Sequence, residues 1–502
     1  MPEATPDPIA PRAGAIATAI AASPARRLAL VAALGALTAL LPALVFRAFT
    51  VDDALISARY AAHVAAGHGY RFNVGGPSTD GVTPLGFPYL LAPFSAGGPL
   101  AALAAAKVLG VTAWTFASAL LAVAVDRTPG RALRFSALLL VAASAPLAAW
   151  SIAGMETGLV IALAASAVSL RRLHCPHLGA AAAGLAAALR PELIPWALLI
   201  AAAPDPATLA SSSTRGPIVL DRRFFARLAL GALPPLAVML TRAVIFGHPV
   251  PLAVLAKPSF AALGAKYALA CFLLTGPVAL LAPFAFRRLD AFGRVLLLSI
   301  PVHFIAVALA GGDWMPLSRL VVPVLPASAL CVAQLIAVAD ARATAARLVL
   351  ALAGQVFQIV RVGPSAIHVG DDRRALIDEL RAPLAEARVV AALDIGWLGA
   401  ATDATIVDLA GLTDPAIAVL PGGHTSKPIP VGLLDARKVD TLVLLLKEGE
   451  PLVEPWTDAF FARIVELRLA SIPHIGEELQ VVAQSRTPHL RYVVLRRRAN
   501  QL

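Results

Sequence analysis

A chain of 502 residues that is 58% hydrophobic and only 15% charged, with a mean hydropathy of +0.76, is too apolar for a soluble fold and reads as a polytopic membrane protein. The formal charge of +11 does not mark a nucleic-acid binder, because the arginines come as short clusters between apolar spans, which is the positive-inside pattern. Cys175, Cys271 and Cys331 lie far apart, in or beside apolar spans, which excludes a disulfide framework and a cysteine metal site.

The polar, proline-rich leader, residues 1–25, is read as cytoplasmic, and the apolar span that follows is expected to be retained, since no small-residue cleavage site succeeds it. A hydrocarbon core of roughly 30 Å needs about 20 helical residues. Spans are predicted near 28–49, 98–125, 135–150, 154–170, 228–246, 267–286, 295–310, 320–338 and 345–361. Clusters at Arg26 and Arg27, at Arg127, Arg131 and Arg134, at Arg171 and Arg172, at Arg222, Arg223 and Arg227, at Arg287, Arg288 and Arg294, and at Arg342 and Arg347 favour the cytoplasm. Neighbouring clusters must then be joined by an even number of crossings.

Residues 178–202 are one helix long yet start and finish beside cytoplasmic clusters. That predicts two half-helices bent at Arg190, Pro191 and Glu192, where proline removes a backbone donor and restricts the residue before it. Counting both halves gives about eleven crossings, with residues 26–362 as the transmembrane domain. Residues 84–97 are short and proline-rich, suited to a re-entrant or interfacial segment. Residues 363–502 are richer in charge and turn residues and are expected to form an extracytoplasmic soluble α/β domain. Its predicted elements are a helix over DDRRALIDELRAPLAEA and strands in ARVVAALDIG, ATIVDLAG, VDTLVLLL and HLRYVVLRRR.

Parity gathers a set of polar residues on the outer side. Asp52 and Asp53 follow the first span directly, with Arg59, His63, His68, Asn73 and Asp80 in the same loop. Glu156 comes later, then Arg242, His248 and Lys257, then Asp313, Trp314 and Arg319, while Arg190 and Glu192 lie deeper, at the bend. Each has a plain structural role open to it. Either aspartate can cap the following helix, Glu156 the fourth span, and Arg190 can neutralise Glu192. His63 and His68 suit an interface, Lys257 and Arg242 can snorkel, and Trp314 suits an aromatic belt. A cap does not require a second carboxylate near a bilayer, however, and a paired acid there suits proton abstraction or a divalent cation.

The run DDALISARYAAHVAAGHGYRFNVGG, GMET at 154–157, LRPE at 189–192, FGHPVPLAVLAK at 246–257, GGDWMPLSR at 311–319 and DIGWLGAATDATIVDLAGLTDP at 394–415 together resemble membrane glycosyltransferases of the C superfamily (GT-C). The nearest likeness is to actinobacterial cell-wall arabinofuranosyltransferases that add terminal residues, and to their bacterial relatives. The resemblance implies a multi-helix GT-C fold in the inner membrane with its active site facing the periplasm. It also implies a polyprenyl-phosphate sugar donor and inversion at the anomeric carbon, with a cell-envelope glycan, lipid or protein as acceptor.

Carried over, Asp52 and Asp53 are the candidate catalytic residues, one of them the base, and the positions for a divalent cation if one is used. Arg190, Lys257, Arg242 and Arg319 are the candidate cations for the leaving phosphate, and Arg59, His63, Glu156, Glu192, Asp313 and Trp314 complete the candidate substrate-binding set. The chain departs from the family pattern at Asp80–Thr83 with Gly86, and at Pro251, Leu252 and Ala253, so the resemblance does not identify the sugar or its acceptor. A transporter or flippase of a lipid-linked sugar is the alternative; it would share broken helices and intramembrane charge, but an internal repeat is expected of it and none is visible.

Overall fold

The protein is described from a computed structural model, which covers residues 23–128, 134–204, 221–257, 260–281, 283–430, 432–447, 452–487 and 489–498. Most of the leader and Arg131 lie outside these. The helices of the apolar part run in order as α1 (Pro24–Val45), α2 (Asp52–Ala65), α3 (Pro99–Asp126), α4 (Arg134–Ala142), α5 (Ala145–Ser151), α6 (Thr157–Arg172) and α7 (Pro176–Leu189). They continue as α8 (Ile194–Ala202), α9 (Arg222–Phe246), α10 (Ala261–Leu274), α11 (Ala291–Leu309), α12 (Leu325–Val338) and α13 (Ala341–Leu384).

Among the described residues, α1, α3, α9, α11 and α13 are long and apolar enough to cross a bilayer, and the chain is a helical membrane protein on that ground. Their outward faces carry exposed apolar side chains such as Leu41, Val108, Leu240, Val244 and Val360, whereas buried faces carry alanines such as Ala39, Ala122 and Ala351. Small residues let helices approach closely where lipid removes the hydrophobic drive to associate.

Several expected spans are interrupted, each at a proline. The stretch 135–150 is two short helices broken before Pro146, and 267–286 becomes α10 followed by 3₁₀ turns at Pro277–Leu280 and Pro283–Arg288. The expected bend is present: α7 ends at Leu189, Arg190 is extended at φ −140° and ψ 100°, and a 3₁₀ turn at Pro191–Leu193 leads into α8. The two halves double back. Arg171, at the end of α6, donates to the carbonyls of Ala203 and Pro204 beyond α8 and also packs on Gly179 near the start of α7. The arginine clusters meet at this end of the bundle: Arg27 pairs with Asp126 at 2.7 Å, Arg172 with Asp290 at 2.5 Å, and Arg288 donates to the Val338 carbonyl at 2.8 Å.

The last span and the predicted amphipathic helix are one element. α13 runs for 44 residues, through Pro364, and carries the chain out of the apolar zone without a break. At 1.5 Å per residue it is ~66 Å long. It delivers the chain to strands β1 (Val389–Ala392), β2 (Thr405–Asp408), β3 (Thr441–Leu445), β4 (Leu479–Gln484) and β5 (Tyr492–Arg497), in sheet order β2-β1-β3-β5-β4. β1 is parallel to β2 and β3, while β5 is antiparallel to β3 and β4. The four expected strands are all present, and β4 is an addition to them.

Alternation along these strands splits the sheet between two cores. Val390, Ala392, Val443 and Val494 join the large core shared with the helical bundle, whereas Ala391, Leu393, Leu442, Leu444, Val493 and Leu495 join a second core on the other face. Between β1 and β2 lies α14 (Ile395–Ala401), which packs directly on α2. The contact depends on glycine: a Cβ on Gly396 would lie 2.0 Å from the Asp52 carbonyl oxygen, and one on Gly399 2.8 Å from Arg59 Cδ.

Gly396→Ala is therefore expected to push α14 off α2 and lower stability by roughly 1–3 kcal/mol, the usual effect of overpacking. Gly432→Ala, which meets no atom within 4 Å, should leave it unchanged. Thermal unfolding in detergent checks both.

Candidate functional site

Two carboxylates in the first turn of α2 suit its N-terminal dipole, yet neither caps it: Val51 is the N-cap residue and no side chain completes the cap. Adjacent helical residues point about 100° apart, so the pair divides between two faces. Asp52 shares its stripe with Arg59, both against α14. Asp53 shares its own with Ile56 and Ser57, which line a cavity.

Asp52 caps a helix other than its own. Its Oδ2 accepts from the Gly396 amide at 2.8 Å and its Oδ1 from the Trp397 amide at 2.9 Å, while Arg373 Nε on α13 lies 3.8 Å away. Arg59 holds the opposite end of α14, donating to the carbonyls of Gly399 at 2.9 Å and Thr402 at 2.8 Å, and also to Phe72 and Ala404. Burial and the nearby Asp394 push the Asp52 carboxyl up to about 6 against the pull of Arg373, and burial brings the Arg59 guanidinium down to about 10.

Asp53 faces a narrow cavity of about 60 Å³ also lined by Glu156, Arg190, Lys257 and Arg319. These side chains arrive from the start of α6, the α7–α8 bend, the loop after α9 and the loop after α11, so four separate parts of the bundle converge on α2. The Asp53 carboxylate is 30% exposed and its Oδ2 lies 3.7 Å from Arg319 Nη1. Arg319 Nε bonds Asp313 Oδ2 at 2.7 Å, and Arg190 Nε lies 2.9 Å from Glu156 Oε1 and its Nη1 3.5 Å from Glu192 Oε1. Arg190 Nη2 is buried without a hydrogen-bond acceptor among the described residues, and Lys257 makes no ion pair among them.

Mutual electrostatics set the protonation states here. Burial, together with Arg319 and Arg190, pushes the Lys257 ammonium below the ordinary lysine value, against the pull of Asp53 and Asp313. Burial works to raise Asp313, but Arg319, Lys257 and Arg190 hold it below the ordinary carboxylate value. For Arg319 burial works downward, and Asp313 and Asp53 overcome it and raise the guanidinium. The loop that presents Arg319 is strained, with Leu317 and Ser318 both left-handed at φ 57° and 59°. Trp150 pins it, donating from Nε1 to the Leu317 carbonyl at 3.0 Å and lying under the Arg319 guanidinium at 5.9 Å.

Other members of the sequence-derived set lie elsewhere. Arg242 is buried against Asp80 at 2.7 Å and donates to the Val82 and Thr83 carbonyls, holding the cavity's rim rather than its interior. His63 donates from Nδ1 to the Arg71 carbonyl at 3.0 Å and opens, with His68, Tyr89 and Asp403, onto a separate cavity of about 1000 Å³. Glu192 sits behind Arg190, and Trp314 is 64% exposed, facing the ring of His424 at 6.4 Å. A divalent cation finds no ready ligand set: both Asp52 oxygens accept backbone amides, and no group of three or more His, Cys, Asp or Glu gathers among the described residues.

The structure also adds residues that sequence reading did not select. Trp150 supports the Arg319 loop, and Leu412, from beyond β2, closes one side of the cavity. An isolated tryptophan near a span end carries no distinguishing signal, and Leu412 reaches the site only through the packing of the sheet on α2. Residues 367–492, about a quarter of the chain, match the family model of a domain of unknown function (DUF8728), which takes in the last turns of α13 and most of the sheet. No curated protein matches the chain.

A buried acid with a raised value favours the folded state most where it is protonated. The Asp52 contribution is full below about pH 4 and is lost as pH rises through about 6. The melting temperature should accordingly fall over that interval, and Asp52→Asn should flatten the slope; equal slopes in the two proteins would refute the assignment.

Proposed function

We propose that the chain is an inverting membrane glycosyltransferase that moves a sugar from a polyprenyl-phosphate donor to a cell-envelope glycan, lipid or protein acceptor. The observation that carries this reading is a single partly open carboxylate, Asp53, facing a cavity with three cations, Arg190, Lys257 and Arg319. Asp53 acts as the base, and Asp52, committed to the α14 amides, positions it. The acceptor hydroxyl gives its proton to Asp53 as its oxygen attacks the anomeric carbon. The bond from that carbon to the phosphate oxygen breaks, and the polyprenyl phosphate leaves with the electron pair and its negative charge.

Lys257, Arg319 and the unpartnered Nη2 of Arg190 receive that charge. Asp313 and Glu156 keep Arg319 and Arg190 aimed while no phosphate is bound. The arginine clusters at the far end of the bundle favour the cytoplasm, which supports a periplasmic position for the cavity and the sheet. The cavity is smaller than a sugar ring, so substrate entry requires its rim at Gly81–Pro84 and Ala253–Lys257 to move outward.

Asp53→Asn is expected to lower sugar transfer from a polyprenyl-phosphate donor by ~10²–10⁴-fold in reconstituted vesicles, with a melting temperature close to the parent's. Lys257→Met should lower turnover less and through kcat, since the charge it answers develops on leaving. Undiminished transfer by Asp53→Asn would defeat the reading. Vesicles that move lipid-linked sugar across the bilayer without forming glycosylated product would instead establish a transporter.

A further inference from the structure

The turn after α1, the first part of α3 and the last third of α13 enclose a second pocket, of about 160 Å³, remote from the Asp53 cavity in its lining residues. Arg47, Lys107, Arg373 and Arg374 line it, and Asp371 is the one acid among its lining residues. We propose that this pocket binds the phosphate of an anionic lipid headgroup.

The first argument is charge in a fixed arrangement. Lys107 Nζ donates to the carbonyls of Arg47 and Phe49, each at 2.9 Å, and Arg373 Nη1 donates to the Thr50 carbonyl at 2.6 Å. These bonds position two cations without neutralising them. Among the described residues Arg373 Nε is buried with no hydrogen-bond acceptor, Asp52 Oδ1 lying 3.8 Å away, and the Arg47 and Arg374 side chains make no ion pair. Four cations against Asp371 and the shared Asp52 leave an excess of positive charge, which a phosphodiester would balance through charge-assisted hydrogen bonds.

The second argument is position. Exposed apolar side chains run along the outward faces of the same three helices: Leu41, Leu44 and Val45 on α1 and Val108 on α3 stop next to the pocket residues Arg47 and Lys107, and Val356 and Val360 on α13 stop about 15 Å short of it. Leu100, Leu103 and Ile377 add apolar wall to the pocket itself. A headgroup at this level can leave its acyl chains along those outward faces, which free phosphate cannot do. Snorkelling accounts for exposed Arg47 and Arg374 singly, but not for their convergence with Lys107 and Arg373 on one pocket. The positive-inside bias offers no reason either, because this end of the bundle is opposite the arginine clusters. Since Arg373 faces both the pocket and Asp52, occupancy braces the contact between α2 and α14 and should register as stability.

The test uses the full chain in a non-ionic detergent, stripped of lipid and followed by thermal unfolding during titration. Dioctanoyl phosphatidylglycerol should raise the melting temperature saturably, dioctanoyl phosphatidylcholine should not, and inorganic phosphate should require at least about tenfold higher concentration. Arg47→Gln with Arg374→Gln should melt like the parent without lipid and need at least about tenfold more phosphatidylglycerol for half the shift; Arg374→Gln alone replaces the pair if the double variant melts lower. An equal shift with phosphatidylcholine, or an undiminished response of the variants, overturns the proposal. Inorganic phosphate acting at the same concentration as phosphatidylglycerol overturns the lipid assignment.

Discussion

The first amides of a helix have no partner within it, and in α14 the residue placed to cap them is otherwise engaged: Asp394 accepts from Arg463 at 2.6 Å and from Tyr492 at 2.5 Å. Asp52, from far earlier in the chain, fills the vacancy with both of its oxygens. This bond sets the rotation of α2 about its axis. With Asp52 turned to α14, the next residue has to face the cavity, and the Arg59 bonds one and two turns along keep the helix from rolling back. The sheet is thereby part of the site's construction as well as a neighbour of it, which is why one core runs from Leu55 and Ala58 through Trp397 and Leu398 to Val390 and Val494.

The cavity itself is an economy of buried ions. Removing charged groups from water is unfavourable unless each finds a partner, and a hydrophobic replacement would commonly be at least as stable. Retaining Arg190 with Glu156 and Arg319 with Asp313 therefore calls for a reason beyond stability. The proposed reaction supplies one: charge that develops on a leaving phosphate meets donors already held in place, and no solvent has to reorganise. Strain at Leu317 and Ser318, held in place by the bond from Trp150, belongs to the same arrangement, since it fixes the direction from which Arg319 enters.

Much of this was legible in the residues. Apolar spans, the broken helix at Arg190–Pro191 and four strands of the sheet follow from hydropathy, proline chemistry and alternation, all of which act locally. Of the residues that charge parity groups together, Asp53, Glu156, Arg190, Lys257 and Arg319 line one cavity, whereas Arg59, His63 and Arg242 do not. Span lengths near Pro146 and Pro277 were overestimated because hydropathy does not register a missing backbone donor, and the rise in charge from residue 363 suggested a boundary where α13 continues. Strand β4, with glutamines at its second and last positions and mixed burial, lacks the apolar run that marked the others.

Composition and periodicity by themselves determined that this chain is helical and membrane-embedded and that strands follow its apolar part. Those properties depend on solvent preference and on neighbours a few residues away. Only the tertiary structure decided the difference between Asp52 and Asp53, the removal of Arg59 and Arg242 to supporting roles, and the part played by Trp150 and Leu412. Two adjacent aspartates are chemically identical in sequence; what separates them is the pair of amides on α14, more than 340 positions away, which one carboxylate can reach and the other cannot.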